Sequence, residues 1–303
     1  FGISKVEMNN GLINISGTTK NPETLVSVAI FRNSTGTVFY VNEVRSDKQS
    51  NFEISLRIPE TVKGESAYGV FKIAASSDFM LDDSKSFEYA SESARLEFFK
   101  TLSAENIESE MNKEENEIVL KNIGIDIDSY NNELTNEQKS AAIGFFLENT
   151  PWNEVTADNI GSKMNYGIYA EMIKSGKTSK ALEGLNILYD NVKYIQISDS
   201  EHRKFICDNM NKTVYTDENK INSDYKLYYS LYLVNNAKAS DLIPLLKKHK
   251  DAIKTDNSSS YDAVSSLTGE NASKAGRRLA QLIEKEGGVN TAEKLNNIIN
   301  EVY

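Results

Sequence analysis

Over the first ninety residues apolar and polar positions alternate with period two; beyond them the period lengthens to that of a helix. The clearest alternating run is Phe52–Glu53–Ile54–Ser55–Leu56–Arg57–Ile58, stopped by Pro59. Such a run marks a strand with one buried face. Leu12 to Ser16 closes on Gly17, and Val26, Val28 and Ile30 share a face. Asn33–Ser34–Thr35–Gly36 is a turn signal before Val38 to Val44, and Tyr68 to Ala75 and Phe87 to Ala90 complete the set. Seven short strands with Gly and Asn turns predict an antiparallel sandwich. With no Cys pair or core Trp of antibody type in this stretch, only an Ig-like arrangement is implied.

From Ser91 onward the pattern predicts helices. One or two are expected over residues 94–121, then an interruption at Gly124–Ile125–Asp126–Ile127–Asp128–Ser129–Tyr130. Ala141 to Glu148 should form an apolar helix ending before Pro151, and Met164, Ile168 and Met172 should line another. Further helices are expected at 181–190, 201–211, 225–234, 242–253, 279–283 and 295–303. Pro244 is tolerated only near a helix start. The most linker-like run is 256–260.

The helix starts recur. Leu134–Thr135–Asn136–Glu137–Gln138 returns as Thr216–Asp217–Glu218–Asn219 and Thr268–Gly269–Glu270–Asn271. Thr156–Ala157–Asp158–Asn159–Ile160 returns at Ser103, at Thr291 and, more weakly, at Lys238. A Thr oxygen can accept from an unpaired N–H of the first turn while an amide three residues on reaches back. That predicts reciprocal caps of Thr135 with Gln138, Thr216 with Asn219 and Thr268 with Asn271. The intervals from the first kind of start to the second are 21, 22 and 23 residues. Ser103 to Thr156 and Lys238 to Thr291 are both 53, while Thr156 to Lys238 is 82. Fixed-period similarity predicts about three imperfect helical-hairpin repeats, one carrying an insertion. The competing explanation is chance recurrence of common caps.

Length and charge narrow the picture. A chain of 303 residues suggests two domains, here an Ig-like β-sandwich over 1–90 and an all-helical repeat domain over 91–303. Net charge is −10, of which −2 belongs to residues 1–90 and −8 to the remainder. An acidic helical region argues against a nucleic-acid partner, since phosphate binding needs a positive field. No apolar run reaches membrane-spanning length. Phe1 is not an initiator Met, so the chain reads as an excised or mature fragment. Cys207 is the only cysteine, which excludes an intrachain disulfide and leaves the compartment open.

Two stretches resemble known modules. Ile13–Asn14–Ile15–Ser16–Gly17–Thr18–Thr19, Val26–Ser27–Val28, Asn51–Phe52–Glu53–Ile54 and Tyr68–Gly69–Val70 resemble the bacterial Ig-like modules of clostridial and related Gram-positive surface proteins. Gly124–Ile125–Asp126, Tyr130, Leu134–Thr135–Asn136–Glu137, Lys139 and Thr156–Ala157–Asp158–Asn159–Ile160 resemble helical repeats of clostridial and Paenibacillus-type surface proteins. Those repeats often stand beside Ig-like and S-layer-homology modules. The resemblance implies an extracellular setting in the envelope of a Gram-positive bacterium and carries over no catalytic residue.

Candidate chemistry is sparse. His202 and His249 lie in no His–Glu–x–x–His arrangement and are expected at the surface. Cys207, among Phe205, Ile206 and Met210, reads as a small core residue. Asp126, Asp128 and Glu137 occupy the first, third and twelfth places of an EF-hand-like loop. However, Tyr130 takes the fifth place and Asn131 replaces the sixth-place Gly, leaving only a weak calcium candidate. Tyr225, Tyr228 and Tyr232 share a helical stripe that could stack a sugar or a protein, or could pack inward. Trp152, after Pro151, is a further ligand-binding candidate or a residue that pins its loop. No phosphate loop, dinucleotide fingerprint or zinc spacing occurs. The expectation is therefore a non-catalytic spacer or scaffold segment of a surface protein, without cofactor, meeting protein or cell-wall polysaccharide. The rivals are an adhesin-like module and a carboxylate-based glycoside hydrolase accessory.

Overall fold

A computed structural model describes residues 1–9, 12–77, 81–255 and 259–303. Antiparallel sheets come first and helices follow. The strands are β1 Gly2–Asn9, β2 Leu12–Thr18, β3 Leu25–Arg32, β4 Val38–Arg45, β5 Asn51–Arg57, β6 Thr61–Val62, β7 Glu65–Ser66, β8 Tyr68–Ser77 and β9 Leu81–Ala90. One sheet has the order β1-β2-β5 and the other β4-β3-β8-β9, while β6 and β7 form a small separate hairpin.

Both large sheets contribute to one apolar core. Ile13 and Ile15 of β2 and Phe52, Ile54 and Leu56 of β5 meet Val26, Val28 and Ile30 of β3 and Phe71, Ile73 and Ala75 of β8. These are the alternate residues of each strand, as a pleat with one buried face requires. Gly17 is needed where β2 passes β1 and β5: a Cβ there would lie 2.2 Å from the Gly2 carbonyl oxygen and 2.6 Å from the Phe52 ring.

Strand gives way to helix at Ser91. Its N–H donates to the Ala67 carbonyl (2.7 Å), and its hydroxyl accepts from the Ala94 N–H (3.1 Å), capping the helix Glu92–Thr101. Beyond it, residues 94–121 hold more breaks than the periodicity suggests. Helices Ile107–Met111 and Glu117–Asn122 are separated by a single 3-10 turn, Glu114–Asn116. The expected interruption at 124–130 is short, because Asp126 accepts from the Ser129 N–H (3.0 Å) at the start of the helix Ile127–Glu133.

The later helices include Asn136–Asn149, Ile160–Lys174, Thr178–Leu185, Ser200–Met210, Glu218–Asn235, Leu242–Lys248, Gly269–Lys285 and Ala292–Val302. Met164, Ile168 and Met172 are fully buried. The helix expected over 181–190 instead stops at Leu185, where Asn186 turns left-handed (φ 52°). A hairpin follows, β10 Leu188–Tyr189 with β11 Val192–Lys193. Asp190 and Asn191 both have positive φ, the requirement of a two-residue turn that matches strand twist. The linker-like run at 256–260 lies outside the described residues in its first three positions.

Compact packing divides the chain differently from secondary structure. One unit comprises Phe1–Asn131 with Thr150–Met164, the other Asn132–Asn149 with Asn165–Tyr303.

The recurrent starts of the first kind are capped in three different ways. Thr135 and Gln138 cap reciprocally, the Thr135 N–H donating to Gln138 Oε1 (2.9 Å) and the Gln138 N–H to Thr135 Oγ1 (3.3 Å). At the second site the cap is Asp217 rather than Thr216: its carboxylate accepts from the Lys220 N–H (2.8 Å). A carboxylate at this place also opposes the helix dipole, so it outcompetes the neighbouring hydroxyl. Thr268 occupies the N-cap position without a side-chain bond.

The other family of starts agrees more closely. The Ser103 and Thr156 N–H groups each donate to the amide oxygen three residues on, Asn106 or Asn159, at 2.8 Å. Each of these asparagines donates back to a carbonyl two residues before its Ser or Thr: Asn106 to Thr101 (2.8 Å), Asn159 to Glu154 (2.9 Å). Ser109 and Ser162 donate to the Asn106 and Asn159 carbonyls, each at 2.9 Å. At all four starts the fifth residue, Ile107, Ile160, Leu242 or Leu295, lies in the core.

Candidate functional site

In the helical unit that holds Asn165–Tyr303, a cleft of about 530 Å³ opens beside the helix Glu218–Asn235. That helix turns one stripe toward it, Asn219, Asn222, Ser223 and Lys226, spaced three, four and seven apart as one face demands. Tyr166 stands on the opposite wall and donates its hydroxyl to Asn222 Oδ1 at 3.1 Å. The bond fixes the Asn222 side chain and leaves its amide nitrogen as a donor. Asn186 and Leu188, leading into the β10–β11 hairpin, form a third side, and Asp251 with Ala252 a fourth. Leu188 is 57% exposed.

The hairpin that shapes the cleft is anchored by a buried polar group. Tyr189 of β10 shares a 3.0 Å hydrogen bond between its hydroxyl and His249 Nδ1. Ser230, on the Glu218–Asn235 helix, donates to the Lys226 carbonyl at 2.8 Å and lies 3.3 Å from the Tyr189 hydroxyl. Lys226 Nζ sits 5.9 Å from the centre of the Tyr189 ring, within cation–π reach. At the turn, Lys248 Nζ pairs with Asp190 at 2.6 Å. Burial raises the Tyr189 hydroxyl above its ordinary pKa and lowers that of His249.

Both histidines thus differ from expectation. His202 and His249 are 5% and 1% exposed, not surface residues. The reason is aromatic packing: His202 stacks on Tyr232 (4.3 Å between centroids, 12° between planes) and leans on Tyr229 (4.6 Å). Its Nε2 lies 3.0 Å from the Tyr229 carbonyl oxygen, an acceptor only, so Nε2 carries the proton. Burial depresses its pKa, with the Tyr229 carbonyl and Asp199 opposing. Cys207 is half-buried with its Sγ 2.8 Å from the Tyr194 hydroxyl, and burial pushes the thiol up, away from a nucleophile's range.

The tyrosine stripe is one helix, as its spacing requires, but it faces several environments. Tyr225 is wholly buried and its hydroxyl has no partner. Tyr228 is half-buried against the C-terminal apolar core. Tyr232 is half-buried and donates to Asp199 Oδ2 at 2.7 Å; that bond pushes its pKa up to about 12 and lowers that of Asp199. Trp152 belongs to the other unit, opening the 3-10 turn Trp152–Glu154 after Pro151.

The calcium candidates have other duties. Asp126 caps a helix, Asp128 lies 3.1 Å from Lys121 Nζ, and Glu137 is exposed in the first turn of Asn136–Asn149. Among the described residues no three His, Cys, Asp or Glu side chains gather as metal ligands would. No helix among them is long and apolar enough to cross a membrane.

The polar stripe Asn219, Asn222, Ser223 and Lys226 was a signal for one wall only, masked by the tyrosines and by Glu218, Lys220, Asp224 and Asn235 elsewhere on the same helix. The hairpin wall had a signal too, Asp190–Asn191 between Tyr189 and Val192. A scan against protein-family models finds no match to this chain, and a comparison with curated proteins finds none either.

Proposed function

We propose that this chain is a non-catalytic structural segment of a bacterial cell-surface protein, an Ig-like module followed by imperfect helical-hairpin repeats. The observation that carries this reading is the matched hydrogen bonding at Ser103 and Thr156. Two loops 53 residues apart use the same Asn to accept at 2.8 Å and to donate back to the preceding segment. Copying of a supersecondary unit accounts for that agreement more simply than chance does. The strand order of the two sheets and their shared core fit an Ig-like arrangement. The histidines and the cysteine are committed to packing: both histidines are buried among tyrosines and Cys207 lies against Tyr194. The surface setting rests on the resemblance of Ile13–Thr19 and Gly124–Ile160 to clostridial and Paenibacillus-type surface modules.

The test is location. Antibody raised against residues 1–303 should label intact cells of the source bacterium, and brief external protease should remove the label. Labelling that appears only after lysis would overturn the proposal.

A further inference from the structure

The cleft beside the Glu218–Asn235 helix has a chemistry of its own, and we propose that it binds a neutral oligosaccharide. Its volume of about 530 Å³ falls inside the range of about 300–1,000 Å³ typical of small-ligand sites. Three amides, Asn186, Asn219 and Asn222, line it together with Lys226 and Asp251. Each amide offers a donor and an acceptor side by side, the complement of vicinal hydroxyls that are themselves both. Lys226 adds donors only and Asp251 acceptors only, so the charged pair cancels. A phosphate or sulfate would need donors without a facing carboxylate. A peptide anchor would need a deep apolar pocket, whereas more than half of the residues lining this open cleft are polar, and of its apolar ones Leu188 is exposed. Such surface suits the C–H face of a pyranose.

The site is also pre-ordered. Tyr166 holds Asn222 by its carbonyl oxygen, and the wall bearing Leu188 is pinned by Tyr189 against His249. A recognition group already in place avoids part of the ordering penalty of binding. The inference rests on the cleft alone and stands whatever the cellular location.

The intact chain should be applied to an array of neutral trisaccharides of glucose, galactose, mannose and N-acetylglucosamine. Acidic and phosphorylated sugars and short peptides are printed beside them. The tightest neutral sugar then goes to calorimetric titration. At least one neutral sugar should bind with Kd of about 0.1–1 mM. Asn222→Ala and Asp251→Ala should each weaken it about tenfold, and Lys72→Ala, in the sheet unit, should leave it unchanged. Asp251 is exposed, so D251A should melt as the parent chain does and keeps the test valid if N222A fails to fold. Binding confined to phosphorylated sugars or peptides, no binding at all, or affinity indifferent to D251A would overturn the proposal.

Discussion

His202 and His249 make the folded state sensitive to mild acid. Burial lowers both pKa values below the ordinary histidine value of 6.5. Below about pH 6.5 the unfolded chain therefore binds protons that the folded chain refuses, and stability falls as pH falls. Each histidine contributes a slope of at most about 1.4 kcal/mol per pH unit, so the pair sets a limit near 2.8. Stability should be flat from pH 8 to 7 and then decline, well before the carboxylates titrate. His202→Phe keeps the stack on Tyr232 and removes one of the two titrations. Urea midpoints taken between pH 7.5 and 5 should fall about half as steeply in this variant; equal slopes would refute the assignment. The tyrosines separate by the same reasoning. The buried Tyr225 hydroxyl lacks a partner, so Tyr225→Phe should be neutral or stabilising by up to about 1 kcal/mol. Tyr232→Phe loses the bond to Asp199 and should destabilise by about 1 kcal/mol. Denaturant curves of the two variants should move in opposite directions or, at the least, differ by that amount.

At the scale of elements, Asn106 and Asn159 test whether the two loops are one device used twice. Each closes its loop by accepting from the Ser103 or Thr156 N–H and donating to the Thr101 or Glu154 carbonyl. Replacing either by Ala leaves those groups to water and should destabilise by about 1–2 kcal/mol, equally at both sites. Urea unfolding of the two variants is the measurement; an effect at one site only would break the equivalence. How much of this was legible follows from the range over which each signal acts. Strand positions such as Phe52, Ile54 and Leu56 were readable because alternation is local and one face is buried. The Thr135–Gln138 cap was readable because both partners lie within one turn. The burial of His202 and His249 was not, since it depends on Tyr229, Tyr232 and Tyr189, up to 60 residues away. Nor was the cleft, which joins Tyr166 to Asn222 across 56 residues.

The whole molecule shows why a change of period is not a boundary of packing. Strand turns to helix at Ser91, yet residues 92–131 and 150–164 pack in the same compact unit as the sheets. Within that unit Val119 and Leu120 are buried on the helix that packs against β8 and β9. The sheet core itself is drawn wholly from residues 3–75, flanked by Phe87 and Tyr89. A fragment of residues 1–90 therefore retains every core residue of the two sheets and should fold alone, with β-type circular dichroism and cooperative unfolding. The complementary fragment 91–303 loses the partners of its first forty residues while keeping those of 132–149 and 165–303. Trypsin should trim it from the N-terminus as far as Lys121, the last Lys or Arg before residue 131, and then stall, leaving a resistant body that mass spectrometry can size. A resistant fragment still beginning at residue 91 would show that the helices after Ser91 need no sheet to pack against, and the division by packing would give way to the division by period.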